Sequence, residues 1–135
     1  MLHRFSYSKV DFKNAIFGEN PLASFLILLM NNQPIGFANY TIDHRNFTVN
    51  LLANLYVNDL FIKKLFRRMK GASLLMNKHI EIAQQNNCGR IEGIVLAENT
   101  EAVDFYKTYP ACKIISDKLH YLRLELGIIC NYPNR

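Results

Sequence analysis

Five of the eight residues at positions 63–70 are cations: Lys63, Lys64, Arg67, Arg68 and Lys70. An apolar stretch, residues 54–62, runs into them, and Gly71 and Ala72 open an amphipathic stretch behind them. Strand, basic turn and helix N-terminus in that order make a seat for an anion. A helix start offers N–H groups without intrahelical partners and the positive end of its dipole, and the turn adds full charges. The chemistry this favours is binding of a phosphate-bearing cofactor. The plainer alternative is a solvated basic loop between two elements. A second pair, Asn58-Asp59, interrupts the apolar stretch. Buried polar groups cost free energy unless they are paired, so these two need a partner or a task. The Asn58 amide is not basic, whereas the Asp59 carboxylate can take a proton. Glu92 and Glu98 are further candidates for that role, acting through water.

Other residue types exclude chemistry rather than suggest it. Cys88, Cys112 and Cys130 are odd in number and show no CxxC spacing, which argues against a disulfide framework or a zinc site and for a reducing cytosol. His3, His44, His79 and His120 are scattered, with no metal-ligand spacing among them. The formal net charge of +5 favours anionic partners, and much of it sits in residues 63–70, which fits a local site better than a polyanion-binding surface. Only Phe66 interleaves with the basic run, so a nucleic-acid-binding module is the weakest reading. The most apolar run, residues 25–30, is far short of the roughly 20 residues a membrane span needs. No secretion signal opens the chain. The expectation is a cytoplasmic protein with no membrane or nucleic-acid partner.

The elements that must position these residues follow from periodicity. At 135 residues, half of them hydrophobic, the chain reads as one domain, 1–135, with a tail over residues 128–135. Residues 10–17 suggest a short helix ended by Gly18. Residues 23–30 form a continuous apolar run of strand length, read as a strand buried on both faces. The turn residues Asn31 to Pro34 lead into a second strand, 35–42. Residues 47–62 read as one long strand, interrupted by Asn50, Asn54, Asn58 and Asp59, with a β-bulge expected in it. Behind Ala72 a helix lines up Leu75, Met76, His79, Ile80, Ile82 and Ala83 at three- and four-residue steps. Residues 90–97 make a strand. Asn99 is a good helix N-cap, with Glu101 in the first turn and Pro110 closing the helix. Residues 112–115 and 119–126 are final strands about the turn 116–118. The order is that of an α/β sandwich on a mixed sheet, in which the helix behind Ala72 crosses over between parallel strands.

Several segments together resemble the GCN5-related N-acetyltransferases, and within them the diamine or spermidine/spermine acetyltransferase branch. They are Phe17-Gly-Glu-Asn-Pro21, Gly36-Phe-Ala-Asn-Tyr40, Leu55-Tyr-Val-Asn-Asp-Leu-Phe-Ile62, the basic turn, Asn99-Thr-Glu-Ala-Val-Asp-Phe-Tyr-Lys107 and Tyr121-Leu-Arg-Leu124. The resemblance implies a mixed, mostly antiparallel sheet with a central, splayed parallel strand pair and helices on both faces. The family's usual first strand and helix have no counterpart here. It implies acetyl-CoA as co-substrate, a small-molecule primary amine as acceptor, with polyamines and diamines as the candidates, and a homodimer. The family's phosphate turn aligns with Arg67, Arg68, Lys70, Gly71 and Ala72, with Lys70 where the family has glycine. The backbone of Leu60 and Ile62 would pair with the pantetheine arm, Asn99 would contact the cofactor, and Tyr106 would lie near its sulfur.

Acetyl transfer needs an uncharged amine, a stabilised oxyanion and a proton for the departing thiolate. Tyr106 suits the last task, because a phenol stays protonated at neutral pH and can donate. An N–H near Phe61, freed by the splay, suits the oxyanion. Asp59 is the candidate base. In this branch the positions of Asn58-Asp59 carry Glu-Asp, so the glutamate is missing here. An alternative reading is a truncated relative that holds CoA with little turnover.

Overall fold

The computed structural model describes residues 8–45, 48, 51–110 and 112 in full, and residues 113–114 and 120–125 as backbone. Helix α1, Lys9–Phe17, starts where Ser8 and Asp11 form a reciprocal capping box, and stops where the Gly18 N–H closes onto the Asn14 carbonyl at 2.8 Å. None of its residues is buried.

Strands β1, Ser24–Met30, and β2, Gln33–Asp43, form a hairpin. Asn31 and Asn32 take φ of 49° and 61°, the two positive values that a two-residue hairpin turn requires. The turn is therefore shorter than the sequence suggests, and Pro34 lies inside β2. It is tolerated there because β2 begins to pair with its other neighbour only at Gly36. Strand β1 is not buried on both faces as its apolar run implies. It is an edge strand, with Ile27 and Leu29 exposed by 56% and 55%. A run without polar interruptions cannot distinguish a central strand from an edge strand, since both lack the alternation that marks a solvated face.

Strand β3 covers Ala53–Ile62, not the whole of 47–62. Leu51 has φ 58°, a left-handed turn that breaks the extended run, and residues 46, 47, 49 and 50 lie outside the described residues. The expected bulge is present. Asn39 pairs with Asp59 but Tyr40 pairs with Val57, so Asn58 is the extra residue. After the bulge, Leu60 and Ile62 face the same side as Leu55 and Val57.

A short 3₁₀ turn, Lys64–Phe66, leads to helix α2, Gly71–Gln85, whose inner face is Gly71, Leu75, Met76, His79 and Ala83. Gly71 packs closely: a Cβ there would stand 2.9 Å from Leu28 Cδ2 and 3.2 Å from Ile62 Cδ1, so those side-chain ends would have to shift. Strand β4, Cys88–Val95, runs parallel to β3, as a crossover connection requires. Helix α3, Thr100–Lys107, and strands β5, Cys112–Ile114, and β6, His120–Glu125, complete the order β1-β2-β3-β4-β6-β5. The turn 116–118 and the tail 128–135 lie outside the described residues. The core packs Leu55, Val57 and Ile91 against Met76 and Ala83, with Phe105, Tyr106 and Tyr109 at its rim. Ala38, Ile62 and Leu75 form a neighbouring cluster with Leu26 and Leu28. Among the described residues no helix is long and apolar enough to cross a membrane.

Candidate active site

The two parallel strands stop pairing halfway. Register partners run from Ala53 and Cys88 to Val57 and Gly93, and there the β3–β4 ladder ends. Beyond that point β3 stays with β2 while β4 stays with β6, through Ile94 and Val95. The ladder ends one residue before the bulge at Asn58, so the extra residue sits where the strands part. The Lys63 N–H donates to the Ile35 carbonyl at 2.8 Å, and the Asp59 N–H to Asn39 Oδ1 at 3.0 Å. Backbone direction alternates along a strand. The backbone of Asp59, Phe61 and Lys63 therefore faces β2, and that of Leu60 and Ile62 faces the opening. The N–H groups turned to the opening are therefore those of Leu60 and Ile62, on either side of Phe61. A count along the strand cannot settle this, because the bulge shifts the alternation by one.

Two cavities meet in the opening. The inner one, about 250 Å³, is lined by Asp59, Leu60, Glu92, Asn99, Tyr106 and Cys112 among others. The outer one, about 620 Å³, is lined by Leu60, Ile62, Arg67, Arg68, Lys70 and Gly71, with Ala72 beside them. Leu60, Asn99 and Tyr106 border both. All ten sequence-selected site residues thus lie on one continuous cleft, with the cations at one mouth.

At that mouth, α2 starts without a side-chain cap and with no acid in its first turn. Lys70 has φ 63°, and Arg68 has φ 62°. The backbone takes the left-handed form that glycine favours, and two basic residues bear the strain. Arg67 is partly committed: its Nε donates to the Ile62 carbonyl at 2.9 Å, and its guanidinium lies 5.7 Å from the Phe61 ring centre. On this side the Ile62 carbonyl is accordingly taken, while its N–H and both backbone groups of Leu60 face the cleft.

On the inner side, Asn99 caps α3 by accepting from the Ala102 N–H at 3.2 Å, which fixes the helix that carries Tyr106. Burial pushes the Tyr106 hydroxyl up to about 12, with Cys112 and Tyr109 adding to it. It is thus a phenol that holds its proton throughout the neutral range. Asp59 accepts from Asn39 Nδ2 at 2.9 Å. Glu92 is 3% exposed and ion-paired with Arg90 and Arg45, so its charge is already balanced. Glu98 borders neither cavity. Asn39 was not singled out by the sequence, although a polar residue between Ala38 and Tyr40 in an apolar strand was a usable sign. Among the described residues no group of three metal-ligating side chains comes together.

Comparison with known proteins gives concordant results. The sequence model described as "Acetyltransferase (GNAT) family" matches residues 3–109. The pig (Sus scrofa) thialysine N-epsilon-acetyltransferase is 29% identical over 118 residues, 81% of this chain and 68% of that protein. An integron cassette protein from the mobile metagenome of V. cholerae superposes with TM-score 0.70 at 27% identity, over 83% of this chain and 70% of the other. The PaiA N-acetyltransferase from Thermoplasma acidophilum, solved in complex with coenzyme A, shares the fold with TM-score 0.69 at 15% identity, over 87% and 70% of the two chains.

Proposed function

The chain belongs to the acetyltransferase (GNAT) family, and on that premise we propose that it is an N-acetyltransferase moving an acetyl group from acetyl-CoA to a primary amine of a small molecule. A diamine, a polyamine or a lysine-like amine such as thialysine is the acceptor class, the last because the pig relative is named for it. The observation that carries this reading is the parting of β3 and β4 after Val57 and Gly93, with Asp59 and Tyr106 bordering the gap.

The cleft fits acetyl-CoA in three respects. Leu60 and Ile62 turn backbone groups into it, in the way a strand edge accepts an extended amide chain. Arg67, Arg68, Lys70 and an uncapped helix start border its outer cavity, where a diphosphate would lie. The inner cavity is large enough for an acetyl thioester and bordered by apolar Val57, Met76 and Ile91. When bound, acetyl-CoA supplies an activated acetyl carbon on a thiol leaving group. Asp59 takes a proton from the acceptor ammonium, which frees the nitrogen lone pair. The N–H of Leu60 or Ile62 donates to the carbonyl oxygen as it gains charge. The C–N bond forms, the nitrogen then gives its second proton to solvent water, the C–S bond breaks, and Tyr106 gives its proton to the departing sulfur and regains one from solvent.

Calorimetric titration with acetyl-CoA, followed by thiol release with 1,4-diaminobutane, spermidine and thialysine, tests the proposal. Saturable binding and release with at least one amine are expected. Binding without release on any amine would favour the second reading, a CoA-holding relative with little turnover, which Asn58 at the bulge supports because the branch carries glutamate there. Absence of binding at millimolar cofactor would remove both. A second copy of the chain is the proposed cover for the exposed edge of β1, and light scattering at micromolar concentration reads the dimer directly.

A further inference from the structure

A cross-strand pair next to the bulge assigns a task to a residue outside the ten. Asn39 and Asp59 are register partners, and they are joined twice. Asn39 Nδ2 donates to Asp59 Oδ2 at 2.9 Å, and the Asp59 backbone N–H donates to Asn39 Oδ1 at 3.0 Å. Asn39 is 8% exposed, whereas Asp59 stands open to the inner cavity. Both amide heavy atoms of a buried side chain are thus used on one residue of the neighbouring strand. Among the described residues Asp59 Oδ1 has no hydrogen-bond partner.

The bulge explains why such a clamp is useful. Asn58 adds one residue to β3 at the place where β4 lets go, so the local backbone is held from the β2 side only. A carboxylate there would otherwise swing about χ1. The other carboxylate of the inner cavity, Glu92, is engaged by Arg90 and Arg45. We propose that Asn39 is a positioning residue for acetyl transfer: by gripping Asp59 at Oδ2 and at its N–H, it turns Oδ1 toward the incoming amine as the oxygen that takes the proton. The clamp is neutral and donates to one oxygen alone, so it orients the carboxylate without cancelling its charge. The inference rests on the transferase reading above, in which Asp59 is the base.

The test uses the full chain and whichever of 1,4-diaminobutane, spermidine and thialysine it acetylates fastest. Asn39→Ala is expected to lower kcat about 10- to 100-fold, the usual cost of a misplaced general base, with calorimetric affinity for acetyl-CoA unchanged. Asn39→Asp is close to isosteric and guards against a folding artefact. Two carboxylates about 3 Å apart cannot both ionise easily, so the acid limb of kcat/KM against pH is expected to move up by about one unit or more, which places the titrating base beside residue 39, while the fall in kcat of Asn39→Ala at unchanged acetyl-CoA affinity is the readout a purely structural role would not produce. Asp59→Asn should fall at least as far as Asn39→Ala, and the double variant no further than Asp59→Asn alone. If the unaltered chain acetylates none of the amines, the transferase reading has failed and this proposal falls with it. If it is active and Asp59→Asn is harmless, the base is elsewhere and Asn39 positions nothing. If Asp59→Asn is crippled while both Asn39 variants keep the parent rate and pH profile, the inference alone is overturned.

Discussion

The two halves of β3 differ more from one another than β3 does from its neighbours. From Asn54 to Val57 the strand is paired on both sides and nearly closed to solvent, with Leu55 fully buried. From Asn58 to Ile62 it is paired on one side, and Asn58, Asp59 and Phe61 are exposed. One extra residue, Asn58, lies at the divide. The paired half anchors the core, and the parted half presents backbone groups and a carboxylate that the paired half could not spare. A site of this kind obtains unpaired backbone N–H groups without burying them, because the cleft remains open to solvent until a ligand enters.

The largest expected effect lies in the paired half. Leu55→Ala should destabilise the fold by about 2–5 kcal/mol, read by urea denaturation, whereas Phe61→Ala, at 44% exposure, should cost roughly 1 kcal/mol or less. Equal losses would erase the contrast between the halves. Next is His79 on α2, fully buried beside Tyr40, the residue paired with Val57 at the divide. Burial lowers it from 6.5 to about 4. Between those values the unfolded chain binds more protons than the folded one, so stability rises with pH across the window and is lost as pH falls through it. The loss is on the order of 3 kcal/mol, and His79→Leu should flatten that slope in denaturation curves taken from pH 7 to 4.

Substitutions on the elements that border the gap beside the parted half should reverse the pattern, sparing stability and striking turnover. Tyr106→Phe should reduce kcat about 10- to 100-fold while calorimetry shows unaltered acetyl-CoA affinity. Collapse of affinity with an unchanged rate per bound complex would assign the phenol to binding. The smallest effect belongs to Lys70→Gly. Relief of the left-handed strain should raise stability by up to about 1 kcal/mol, and loss of the cation should weaken CoA binding a few-fold. Tighter binding would mean that the lysine side chain obstructs the phosphates.

Much of this was legible in residue order, for local reasons. Periodicity and Gly18 predict the helix at residues 10–17, and Ser8 and Asp11 cap it. Asn99 caps α3 as its residue type suggests, because the cap bond closes within three residues. The cations of residues 63–70 fall between a strand and a helix start because that is simply their sequence. The edge position of β1 escaped, since its apolar residues read alike in any strand of the sheet. The break at Leu51 escaped because a positive φ on leucine has no signature in the side chain.

The chain's own sequence thus determined the kinds of element, their order, the charge at the cleft mouth and the phenol eight positions into the last cap-and-helix unit counted from Asn99. Long-range packing set where β3 and β4 separate, which N–H groups face the gap, and that Asn39 grips Asp59 from the next strand. Helices and caps close over three or four residues, so composition and spacing suffice for them. Register between strands is settled by residues twenty apart meeting across a sheet, and one bulged residue reassigns every side chain and amide beyond it.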